Sequence, residues 1–173
     1  NYTGSIAKQE LTGYLPDSLL RQYLDLPQKI NLHGKVKGRP TDLHATTLLD
    51  ISDRGSLAID AIIKGEDYKA KIHGKDLKIN EIAADSLLPQ LKNINLTATL
   101  EGTGFEFGKT ANAVLDGQIQ SLTWEDKTFE NLTLNGRLNA EKLDFAVQSP
   151  DPKLHMDLAA KLDFGAIKDR LEW

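Results

Sequence analysis

The segment Gly104-Phe105-Glu106-Phe107-Gly108-Lys109-Thr110 carries two glycines, a lysine and a threonine in nearly the order of a phosphate-binding loop. Such a loop needs its first glycine five positions before the second, so that backbone amides and the lysine converge on an anion at a helix N-terminus. Position 103 is Thr103, so the spacing falls one residue short, and Ala111, Ala113, Leu115 and Ile119 continue at a period of two instead of opening a helix. The segment reads as a glycine-bearing hairpin loop.

Metal and acid-base chemistry fare no better. His33, His44, His73 and His155 lie far apart, and His33, His73 and His155 fall on the polar side of alternating runs. Zinc requires three or four converging ligands, usually with a local pair, so these read as solvated sheet histidines. The carboxylates are equally dispersed, and no Ser or Thr stands with a His and an Asp in a known catalytic order. Cysteine is absent, which removes thiolate catalysis, disulfides and Cys-ligated zinc. A non-enzymatic chain with no cofactor and no metal is expected.

Asn95-Leu96-Thr97 and Asn131-Leu132-Thr133 match a glycosylation acceptor pattern but sit inside alternating runs, and such matches arise often by chance. Trp124-Glu125-Asp126-Lys127-Thr128-Phe129 reads as a charged hairpin tip clamped by cross-strand aromatics.

A content of 40% hydrophobic and 27% charged residues in 173 suits a folded protein with one sizeable core. The 21 Lys and Arg are scattered and the net charge is −4, so no nucleic-acid partner is expected. No stretch reaches the roughly 18 to 20 apolar residues of a membrane-spanning helix. The start, Asn1-Tyr2-Thr3-Gly4, lacks both a signal segment and a Met; a piece of a longer chain is expected. Composition leaves the compartment open.

The elements that would position any site are mostly strands. Leu15, Leu19, Leu20, Tyr23 and Leu24 recur at helical steps, which predicts one short amphipathic helix between Tyr14 and Leu26, capped by Asp17 or Ser18 and stopped before Pro27. From Ile30 the period becomes two: Ile30, Leu32, Gly34 and Val36 against Asn31, His33, Lys35 and Lys37. Further runs are Leu57 to Ile63, Tyr68 to Ile72, Leu77 to Ile79, Ile94 to Leu100, Ala113 to Ile119, Leu122 to Trp124, Leu132 to Leu138, Leu143 to Val147 and Leu154 to Phe164. Asp53-Arg54-Gly55, Gly65-Glu66-Asp67 and Gly74-Lys75-Asp76 read as turns between them. Connections this short join antiparallel neighbours, which predicts a long meander of about a dozen strands.

One stretch occurs twice. Asp17-Ser18-Leu19-Leu20 precedes Ile30-Asn31-Leu32, and Asp85-Ser86-Leu87-Leu88 precedes Ile94-Asn95-Leu96, the two units running over about 14–80 and 82–164. The first spacing is 13 positions and the second nine, a difference near one helical turn, so a shortened helical corner is expected around Ile82 to Leu88. A recurring unit of strands points to assembly along one axis.

The apolar stripe admits two readings. It can fill the inside of a closed sandwich, the usual fate of an antiparallel sheet with one apolar face, or it can line an open groove. Aromatics are only 6%, and Gly34, Gly74, Gly117 and Gly136 fall at inner positions, which suits a curved sheet with a narrow interior.

From about Asp85 to Phe164 the chain resembles the TamB and AsmA-like family of Gram-negative envelope proteins, in the form found among Bacteroidetes-type sequences. The resemblance is carried by Ala84-Asp85-Ser86-Leu87-Leu88, by Val114-Leu115-Asp116-Gly117-Gln118-Ile119-Gln120-Ser121-Leu122, by Phe129-Glu130-Asn131-Leu132-Thr133-Leu134-Asn135-Gly136, and by Asp151-Pro152-Lys153-Leu154 before a last strand. It implies a mainly β fold, an elongated, curved antiparallel sheet folded over like a taco or half-pipe with an apolar inner face. It also implies a periplasmic protein, anchored in the inner membrane when full length, that moves phospholipid toward the outer membrane. A further implied partner is an outer-membrane β-barrel protein. This chain is expected to be an internal segment, its edges covered by neighbouring repeats or by self-association.

On that reading the groove is lined by Ile30, Leu32, Val36, Ile59, Ile63, Ile72, Ile94, Leu96, Leu100, Leu115, Ile119, Leu132, Leu134, Leu138, Phe145, Val147, Leu154, Met156, Leu158 and Leu162, shielding acyl chains while headgroups stay in water. Two alternatives are a scaffold that passes β-barrel proteins by strand addition and a closed β-sandwich binding module.

Overall fold

The structure, a computed structural model, describes residues 1–7, 27–39, 41–78, 90–105, 110–150 and 157–163. These form ten strands: β1 (Tyr2–Ala7), β2 (Lys29–Arg39), β3 (Asp42–Ile51), β4 (Ser56–Lys64), β5 (Asp67–Lys78), β6 (Leu91–Thr103), β7 (Asn112–Trp124), β8 (Lys127–Asn139), β9 (Lys142–Gln148) and β10 (Asp157–Asp163). All belong to one open sheet in the order β1 to β10, every neighbour pair antiparallel. The elongated meander is therefore present, as one continuous sheet rather than two facing ones. The predicted helix between Tyr14 and Leu26 and the corner at Ile82 to Leu88 lie outside the described residues.

Two-residue turns close three hairpins. Gly65, Glu125 and Ala140 each take the first loop position with φ of 62°, 53° and 48°, the left-handed region that such tight turns demand. Their backbone N–H groups donate to Thr41, Gln90 and Ala111 carbonyls at 2.8, 2.7 and 2.8 Å. Each turn is thereby stitched to the start of the flanking chain, which holds Glu125 and Ala140 in a conformation that L-residues otherwise avoid.

β1 and β3 fall outside the expected runs. Gly74-Lys75-Asp76, expected as a turn, is instead crossed by β5: Gly74 pairs with Leu96 and Leu77 with Ile94, leaving a bulge between. Asp76 supplies the bulge with φ 51°, and its N–H donates to Asn95 Oδ1 at 2.8 Å. The separate run expected at Leu122 to Trp124 is likewise the end of β7, past an extra residue, Gln120, set against β6. Asn131 on β8 has φ 56°. Irregular backbone thus lines up at one height across β5, β6, β7 and β8, and because bulges bend strands and tighten their twist, the row forms a crease.

The core sits at that crease. Leu77, Leu91, Ile94 and Leu122 on one side pack with Ala98, Ile119, Leu132, Leu134 and Val147 on the other. Leu132 and Ile119 are 0% and 2% exposed. Trp124 and Phe129, expected to clamp their hairpin, pack against this cluster.

Asn95 holds the crease from the middle, for its Nδ2 also donates to Ser121 Oγ at 3.0 Å. Replacing Asn95 by Ala removes both bonds and is expected to lower unfolding free energy by about 1–3 kcal/mol. Urea denaturation of this variant against Thr99→Ala, two pleats along β6 from Asn95, checks the effect.

Candidate functional site: the apolar face

Side chains directly opposite one another in a ladder share a face, so the registers sort every strand. Ile30, Leu32, Gly34 and Val36 of β2 stand opposite Ile51, Leu49, Thr47 and Ala45 of β3. The row continues through Leu57, Ile59, Ala61 and Ile63 of β4 to Gly74, Ile72, Ala70 and Tyr68 of β5. It passes by Leu96, Ala98 and Leu100 of β6 to Ile119, Gly117 and Leu115 of β7. From there it reaches Leu132, Leu134, Gly136 and Leu138 of β8, Val147, Phe145 and Leu143 of β9, and Leu158 and Ala160 of β10. Ile94 joins it beyond the bulge.

Seventeen of the twenty expected groove residues therefore share one face of one sheet, and Leu162 pairs in register with Leu143. The other two, Leu154 and Met156, lie outside the described residues. The opposite face carries Asn31, His33, Lys35, Lys37, His44, Asp60, Lys69, Lys71, His73, Asp116, Arg137 and Asp144.

Residues that the sequence reading left out also belong to the apolar face. Tyr2 and Ile6 come from β1, opposite Gly34 and Ile30, and Leu43, Ala45, Leu49 and Ile51 come from β3. Their alternation was hidden because polar Thr47 sits inside while Leu48, 44% exposed, sits outside. Leu57, Leu77, Leu91, Leu122 and Leu143 also belong to it.

Burial along the face is uneven. Ile94, Ile119, Leu132, Leu134 and Val147 are buried at the crease. Ile30, Leu32, Ile59, Ile63, Ile72, Leu96, Leu100, Leu115 and Leu138 are half-buried. Val36, Phe145 and Leu158 are exposed, at 49%, 37% and 47%. The face is thus closed at the crease and partly open toward both flanks, at β2–β4 and at β9–β10.

Two glycines show how the face stays smooth. The Tyr2 ring lies over Gly34 and the Tyr68 ring over Gly102, directly opposite in their ladders. A Cβ built on Gly34 would stand 2.4 Å from the Tyr2 ring, and one on Gly102 2.5 Å from the Tyr68 hydroxyl oxygen. Each aromatic fills the place of the missing side chain, a known device for covering strand glycines. The Tyr2 hydroxyl is held by Thr47 Oγ1.

The segment that mimics a phosphate loop opens into β7, a strand, at Asn112, so no helix N-terminus is present to hold an anion there. His33, His44 and His73 are exposed on the polar face, and His155 lies outside the described residues. Among the described residues no cluster of three or more His, Asp or Glu could hold a metal. Comparison with protein-family models, with curated proteins and with solved structures finds no match.

The uneven burial predicts an uneven response to truncation. Leu132→Ala is expected to cost about 2–5 kcal/mol, the range for a fully enclosed leucine. Val36→Ala on the open flank is expected to stay within about 0.5 kcal/mol of wild type. Paired thermal and urea melts of the two variants check the contrast.

Proposed function

We propose that this chain is a non-enzymatic segment of an envelope protein whose apolar face shields phospholipid acyl chains during passage between two membranes. The observation that carries the reading is the row of mostly aliphatic side chains that runs from strand to strand across the sheet, with most of the charged side chains on the other face. A single-layer sheet that is closed at one crease and half-buried toward a flank offers an apolar surface without a specific clamp. The likeness of Val114 to Leu122 and of Phe129 to Gly136 to TamB and AsmA-like sequences supports a periplasmic setting.

The dimensions agree. From Ile30 to Gly38, β2 rises about 26 Å at about 3.3 Å per residue, longer than the half-thickness of a bilayer core of roughly 30 Å. Acyl chains laid against this face lose water at about 0.8 kcal/mol per methylene. The contact is similar at every pleat, so a chain can shift by one strand without meeting a large barrier. A headgroup beyond the strand ends, beside Arg39, Asp42 or Lys64, stays in water.

Native mass spectrometry of the purified chain tests the proposal. Phospholipid is expected to copurify and to be depleted at least fivefold in Ile63→Asp. The adjacent Ile62→Asp, which falls on the opposite face, is expected to retain it. Bound lipid that survives unchanged in Ile63→Asp, with that variant's fold intact by circular dichroism, overturns the reading.

A further inference from the structure

A twisted sheet is saddle-shaped, so each face is concave along one diagonal. On the polar face this concavity is a cavity of about 740 Å³ spanning β1 to β6. Its floor is apolar although it lies on the charged side of the sheet: Leu48 of β3, 44% exposed, stands directly opposite half-buried Ala58 of β4.

The flanks are basic and nearly symmetric about that floor. In the row of Leu48 and Ala58, His33 of β2 closes one side and His73 of β5 the other. One pleat along, Lys35 and Lys71 flank Thr46 and Asp60 in the same way. β2 and β5 are three strand spacings apart, about 14 Å, a gap that two extended lysines can bridge from both sides.

The charges here are not already spent. Among the described residues neither Lys35 nor Lys71 enters a hydrogen bond or an ion pair, unlike Lys69, which pairs with Glu101. The one carboxylate in the cradle, Asp60, receives His44 Nε2 at 2.7 Å. His73 engages Thr97 Oγ1 through Nδ1 at 3.3 Å, which leaves its Nε2 for another partner. In a chain of net charge −4, two unpaired lysines beside an apolar floor form a site of opposite polarity to the whole.

We infer that this cavity binds a small anionic amphiphile, its apolar body on Leu48 and Ala58 and its phosphate, sulfate or carboxylate group between Lys35 and Lys71. Charge complementarity selects the head, and the exposed leucine selects the tail. A cavity of several hundred Å³ with few convergent polar groups is the size such ligands fill. The site lies on the face opposite to the proposed acyl surface and stands independently of it.

Calorimetric titration of the full chain with monomeric decyl phosphate tests the assignment. Decyl phosphate is expected to bind at least tenfold more tightly than decyl maltoside, which lacks the charge, and than inorganic phosphate, which lacks the tail. Charge reversal in Lys35→Glu/Lys71→Glu is expected to weaken it at least tenfold. A control with the same net charge, Lys127→Glu/Lys142→Glu, on strand ends away from the cavity, is expected to bind as wild type does. Should the first double variant misfold, amide shifts of the wild-type chain decide: decyl phosphate is expected to move Leu48, Ala58 and His73 most. Equal affinity for decyl maltoside, equal loss in both double variants, or shifts centred on Leu115 and Leu134 would overturn the assignment.

Discussion

The pairing of like with like across nine successive antiparallel ladders is the constraint on which this molecule depends. A slip of one residue in any ladder would turn an entire strand over, sending its aliphatic side chains into water and its lysines onto the apolar face. Three hairpins guard against that slip with two-residue turns at Gly65, Glu125 and Ala140, each anchored by a backbone bond to flanking chain. Register, facial polarity and turn geometry are therefore one property.

The crease is where that order is broken in a controlled way. Bulges at Asp76 of β5 and Gln120 of β7 flank Asn95 of β6, and Asn131 of β8 takes a positive φ at the same height, so that neighbours remain paired on both sides of the bend. Asn95 bonds the bulge of β5 and the side chain of Ser121 on β7 at once. Bending brings apolar residues from either side of the row into one cluster, which is why a single sheet can enclose Leu132 completely. Away from the crease the same kind of side chains are half-covered or open, so stability and an accessible apolar surface are provided by different stretches of one face.

Much of this was legible in the chain. Period-two alternation grouped seventeen apolar side chains that the ladders put on one face, because side-chain direction in a strand needs no knowledge of partners. Other features depend on neighbours and were not legible. β3 hid because Thr47 is inside and Leu48 outside, and Leu48 lies on the floor of a concavity to which five other strands contribute. Gly74-Lys75-Asp76 has the composition of a turn, yet the ladders on both sides carry β5 through it as a bulge that Asn95 caps from across β6. The degree of burial was likewise invisible, since Val36 and Leu132 differ in what surrounds them and not in their pattern.

The plain strand order has a mechanical meaning. Neighbours in the sheet are neighbours in the chain, so no strand is locked beneath another and tension applied across the sheet loads one ladder at a time. Hydrogen bonds then fail singly, and β1 or β10 can be peeled away while the rest holds, as in a linear array of coupled units. Tension along the strands instead shears every bond of a ladder together. Held in line with its strands the molecule is a stiff plate, and held across them it is a ribbon that opens like a zip.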